Sequence, residues 1–159
     1  MEQENKMPPM KGMSYKKFMV MMLISFLVMY LVMFLNMDKL SHYHTSMTRI
    51  YMALLMVTPM AVVMMVLMGK LYPDKKTNAI IIFSSSVLFV VILAALRSQT
   101  PISDVQYMKA MIPHHSSAIM VSKHANITDP EVKKLSEQII QSQEKEIAEM
   151  EAMINRLEK

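Results

Sequence analysis

His114 and His115 fall in a segment, Asp104 to Met120, that concentrates potential ligands, because it also carries Met108, Met111 and Met120. On a helix turning about 100° per residue from Met108, Met111 falls at about 300°, His115 at about 340° and His114 at about 240°. Met108, Met111 and His115 therefore share one face, with His114 at its margin. Thioether sulfur is a soft, neutral donor; with imidazole it suits Cu(I) and Ag(I) and poorly suits Zn²⁺, Mg²⁺ or Ca²⁺. Further on, Gln143 and Glu146 fall within the arc of Leu135, Ile139, Met150 and Met153. Polar groups on a buried face need partners, and the edge carrying His114 and His115 offers them. The same pairing supplies a metal-free alternative, a neutral histidine hydrogen-bonded to Gln143 or Glu146.

A second cluster, Met37, Asp38, His42, His44 and Met47, falls within eleven residues. In an extended segment the alternation of His42 and His44 around Tyr43 turns both imidazoles one way, a set that suits Cu(I), Cu(II) or Zn(II). The plainer alternative is a pair of polar residues at a membrane surface.

The 22 methionines outnumber leucine and isoleucine, and their positions are uneven. Seventeen lie in residues 1 to 68, five between Met108 and Met153, and none between Gly69 and Tyr107. Met52, Met56, Met60, Met64 and Met68 recur every four residues, which makes a slowly winding stripe on a helix, and Met22, Met29, Met33 and Met37 lie on a similar face. Such a stripe serves as a ladder of soft ligands or as adaptable packing. Met7, Met10 and Met13, spaced by three, resemble a soft-metal tail.

Three charge-free runs stand out: 18–35 and 50–68, which carry eleven of the methionines, and 79–96, which carries none. Each is long enough to cross a hydrocarbon layer of about 30 Å as a helix. The expected organisation is a cytoplasmic segment 1–17, spans at 18–37, 50–68 and 79–96, and an outer helical hairpin over 103–159. The first run is longer than a signal peptide's apolar region and lacks a small-residue cleavage pattern, so it reads as an uncleaved anchor. Pro59 interrupts the hydrogen bonding of the second span. Lys6, Lys11, Lys16, Lys17, Lys70, Lys75 and Lys76 fall on one side, while Lys39, Arg49, Arg97 and Lys109 fall on the other. The excess of positive charge places the N-terminus in the cytoplasm and the tail outside a bacterial inner membrane. Because the basic residues flank apolar spans, the net charge of +4 reads as topology and excludes a nucleic-acid footprint. The absence of cysteine removes disulfides and thiolate metal sites.

In the tail, Ser103 or Asp104 is the expected cap of a helix running to about Ala125. After a break at Asn126 to Asp129, with Asp129 as cap and Pro130 in the first turn, Val132, Leu135, Ile139, Ile140, Ile147, Met150, Ile154 and Leu157 mark a long amphipathic helix.

Tyr107, Met108, Met111, Ile112, Pro113, His114, His115, Ala118 and Ile119, followed by Ile140, Gln143, Glu146, Ile147 and Met150, make two ordered blocks. Together they resemble the domain of unknown function 305 family over about a third of the chain. The resemblance implies an all-α, ferritin-like helical bundle and, by likeness to the CopM-type members, periplasmic copper binding. It implies Met111, His114, His115 and Met150 as the functional set, supported by Gln143 and Glu146. A methionine that many members carry is Val121 here, with Met120 one step earlier, which leaves ligation by Met120, and by His124, open. Two tail helices are half of a four-helix bundle, so a homodimer is expected to complete it.

The leading expectation is a membrane-anchored copper-binding protein, with Cu(I) or Ag(I) as the metal and membrane lipid and a second copy as partners. A methionine-lined copper channel subunit and a structural membrane protein without metal are the alternatives. No nucleophile or paired catalytic carboxylate points to an enzyme.

Overall fold

The computed structural model describes residues 14–159, so Met7, Met10 and Met13 lie outside the described residues. The described chain is all-α, with five long helices: α1 (Tyr15–Val32), α2 (Met47–Met68), α3 (Lys75–Ser98), α4 (Asp104–His124) and α5 (Pro130–Leu157). Single 3-10 turns at Leu40–His42 and Gly69–Leu71 shape the first two connections.

Side chains that accept first-turn amides start these helices. Ser46 accepts from the Arg49 amide, Asp74 from Lys76 and Ser103 from Gln106. Asp129 accepts from both Glu131 and Val132, directly before Pro130. These bonds satisfy amides that have no partner inside the helix. α1 stops before the end of its apolar run, and residues 33–36 form a turn. There the Arg49 guanidinium lies 4.4 Å over the Phe34 ring, and its Nη1 donates to the Met33 carbonyl at 2.7 Å. A cation at the carboxyl end of a helix also offsets its dipole.

The helices α1, α2 and α3 are long and apolar enough to cross a membrane. α2 lies between the other two and packs on both. Phe18, Met22, Val57, Ala61, Met65 and Tyr72 form the buried centre, with Met21, Met29, Met60 and Met64 packed against it. Tyr15 ties the starts of α1 and α3, donating to Asn78 Oδ1 at 2.8 Å. α2 continues through Pro59, which leaves the Leu55 carbonyl without its usual amide donor.

α4 and α5 form an antiparallel hairpin around Met108, Ile112, Ile119, Ile147 and Ile154, where Ile112 and Ile119 are fully buried. Each isoleucine taken from water stabilises the pair by about 1.5–3 kcal/mol. α5 carries two apolar stripes. Counting about 100° per residue from Leu135, Ile140, Ile147 and Ile154 cluster at about 100–140°, while Val132, Ile139, Met150, Met153 and Leu157 lie within about 60°. The first stripe meets α4; Val132, Leu135, Met153 and Leu157 of the second are exposed.

The hairpin docks on the end of the bundle that carries the α1–α2 loop. Asn36 donates to Ser117 Oγ at 2.7 Å, the Asp38 amide to Ser116 Oγ at 2.9 Å, and the Met47 amide to Gln106 Oε1 at 2.9 Å. Tyr51 also reaches the Thr100 carbonyl at 3.0 Å.

Candidate metal centre

The periodicity of α4 sets Met108, Ile112, His115 and Ile119 toward α5, and α5 answers with Ile147, Met150 and Ile154. Where aliphatic packing gives way to sulfur, between the start of α4 and the end of α5, an open cleft of about 460 Å³ remains. Met108, Met111, Met150 and Met153 line it together with His115 and Glu146, and Asp104, Glu149 and Arg156 add charged groups. Four methionines and one histidine from two helices thus line one space.

His115 is 8% exposed, and its Nε2 stands 2.8 Å from Glu146 Oε2. Of the two metal-free partners expected for the histidine edge, Glu146 is the one in place. The other ring nitrogen, Nδ1, is buried and has no hydrogen-bond partner. Glu146 also accepts the Ser142 hydroxyl at 2.7 Å, and chiefly for that reason, with His115 adding to it, its carboxyl is held below the usual range.

The remaining expected residues are placed differently. His114 is exposed and does not line the cleft, although its ring centroid is 6.0 Å from that of His115. Gln143 is half-buried and is also absent from the cleft walls. Met120 is half-buried away from it, and His124 Nδ1 is 2.9 Å from the Met120 carbonyl. Met153, which the sequence reading set in the α5 arc without assigning it a role, joins the cleft by standing three residues after Met150.

The cluster in the α1–α2 loop is drawn into docking. Asp38 pairs with Lys123 at 3.0 Å, a contact that raises the Lys123 ammonium above its ordinary value. His42 is buried with Nδ1 2.8 Å from Ser116 Oγ. His44 lines a separate small cleft with Glu151 and Asn155, and burial lowers its pKa. Met37 and Met47 are half-buried, and the backbone amide of Met47 is taken by Gln106. Among the described residues, no three His, Asp or Glu side chains stand close enough to hold an ion together. A thioether site with one imidazole has no need of such a triad.

The methionine stripe of α2 divides. Met60 and Met64 are partly buried against the core of Phe18, Met22, Val57, Ala61, Met65 and Tyr72, whereas Met52, Met56 and Met68 are exposed.

Fold and cleft together define an all-α protein with three apolar helices of spanning length and a sulfur-lined helical hairpin. Residues 91–154 match the family described as Domain of unknown function (DUF305), and the chain belongs to that family. It is similar to an uncharacterized protein, L153, of Acanthamoeba polyphaga mimivirus. The two are 43% identical over 107 residues, covering 66% of this chain and 68% of that protein. That stretch is longer than the matched domain, so the likeness extends beyond the hairpin. No solved structure matches the chain.

Proposed function

We propose that this protein is a membrane-anchored copper-binding protein that takes Cu(I), and Ag(I) as its chemical analogue, in the cleft between α4 and α5. The observation that carries the reading is that Met108, Met111, Met150 and Met153 line one space together with His115. Hydrophobic packing accounts for methionines in a core, but it does not account for an open cleft walled by four of them beside an imidazole. The donors fit the metal: thioethers and a neutral imidazole hold a soft monovalent ion without bringing net charge. The unpartnered Nδ1 of His115 fits as well, since a buried polar atom left unpaired costs about 1–3 kcal/mol that a bound ion would offset.

Handling of copper at the outer membrane surface follows from the charge distribution around the spans, and docking of the hairpin on the α1–α2 loop keeps the cleft at that end of the bundle. Two hairpins pair through the part of the second apolar stripe of α5 that lies outside the cleft; exposed Val132 and Leu135 support this.

Cu(I) titration of the full chain in detergent, against a chromophoric competitor, tests the reading. One ion per chain is expected, with affinity lost in His115→Ala and weakened in Met111→Leu and Met150→Leu. Equal affinity in all three variants refutes it. A reporter active on only one side of the membrane, fused after Lys159, tests the topology.

A further inference from the structure

We infer that the soft ion meets His115 through Nδ1, and that Glu146, braced by Ser142, is the positioning residue that leaves this nitrogen free to bind. The inference rests on the thioether cleft reading and adds the ligating atom and the device that selects it.

Two acceptors do not approach to 2.8 Å without a proton between them, so the contact from His115 Nε2 to Glu146 Oε2 contains one. Glu146 is half-exposed and its other oxygen accepts the Ser142 hydroxyl at 2.7 Å, an arrangement that favours the carboxylate at neutral pH. The proton therefore belongs to Nε2, and in the neutral ring the lone pair lies on Nδ1. That nitrogen is the one without a hydrogen-bond partner. A metal arriving at Nε2 would have to displace Glu146, whereas at Nδ1 it breaks no hydrogen bond. Metal-bound histidines commonly donate their second N–H to a carboxylate, which fixes the ring and makes the ligand more basic. Here that half of the arrangement stands ready-made.

The backbone supports the same assignment. Helical side chains lean toward the N-terminus, so His115 overlies the turn that bears Met111, with Met108 one turn further. Met150 and Met153 complete the opposite wall. His114 is about 100° around the helix and outside the cleft, so the donor set does not include it.

The test uses the full chain in detergent micelles, labelled with ¹⁵N-histidine and titrated with Ag(I), whose nuclear spin splits the resonance of the nitrogen it binds. Splitting is expected at His115 Nδ1, with Nε2 still protonated. Glu146→Ala is expected to weaken Ag(I) binding about 10- to 100-fold. In Glu146→Gln the amide oxygen still accepts from Nε2–H, so affinity should recover most of that loss. His114→Ala should bind as the unaltered protein does. Circular dichroism on each variant separates ligand effects from unfolding. Splitting at Nε2, or a Glu146→Ala variant that is folded and binds with full affinity, overturns this inference and leaves copper binding standing. No response to Ag(I) in histidine nitrogens or methionine methyls overturns both.

Discussion

Removing the Ser116 hydroxyl should loosen the hairpin from the bundle of apolar helices while leaving the cleft between α4 and α5 intact. Ser116 is fully buried, and its Oγ lies 2.9 Å from the Asp38 amide and 2.8 Å from His42 Nδ1. In Ser116→Ala the Asp38 amide keeps a longer bond to the Ser116 carbonyl, at 3.3 Å, but His42 is left buried with an unpaired nitrogen. An orphaned buried group costs about 1–3 kcal/mol, and the greater helix propensity of alanine returns up to about 0.5 kcal/mol. The net loss is about 0.5–3 kcal/mol, which raises the population of the opened hairpin about 2- to 150-fold. Hydrogen exchange at the Asp38 amide and along α4, in detergent, reads this directly. Replacing both partners, Ser116→Ala with His42→Leu, removes the orphan, so the double variant should be more stable than the sum of the single losses by about 1 kcal/mol. Losses that add within about 0.5 kcal/mol would mean that His42 and Ser116 do not interact as described. A fall in copper stoichiometry in His42→Leu would mean that the loop holds metal after all.

Three further outcomes follow from the same geometry. Ile112→Ala or Ile119→Ala opens the hairpin core and should cost about 2–5 kcal/mol, measured by thermal unfolding. Asp129→Ala removes a side chain that accepts from two amides, and should cost about 0.5–2 kcal/mol with fraying confined to the start of α5 by hydrogen exchange. The pH dependence has a definite sign at two groups. Burial lowers the pKa of His44, so the unfolded chain binds the proton more tightly and stability falls as pH drops below about 6.5. The lowered Glu146 carboxyl contributes stability that is full above about pH 4.5 and is lost as pH falls through its folded value. Unfolding midpoints measured from about pH 7.5 down to about pH 2.5, with His44→Gln as control, should separate the two; a native-chain midpoint that falls in neither step contradicts the assignment.

The two tail blocks were legible because their information is local. Met108, Met111 and His115 share a face by arithmetic alone, Asp129 and Pro130 mark a helix start by their chemistry, and the choice of Gln143 or Glu146 as histidine partner was narrow enough for the structure to decide for Glu146. Consecutive residues stand about 100° apart on a helix, so His114, at the margin of the face that carries His115, lies outside the cleft that His115 lines. For the α1–α2 loop the structure adds contacts that no local pattern announces. Asp38 and His42 have the composition of a ligand set, yet their partners, Lys123 and Ser116, stand 85 and 74 residues away, and nothing local to the loop announces them.

Helices, caps, apolar spans and faces are properties of neighbouring residues, because propensity, capping and a period of about 3.6 act over one or two turns. On those terms residues 14–159 could be read as three apolar helices and a hairpin with a sulfur-bearing face. Which face meets which is a different matter. Met153 entering the cleft, Arg49 closing the end of α1 and Ser116 joining His42 to α4 depend on segments that approach only when the whole chain has packed, and that packing is settled by the sum of all burial and hydrogen bonding.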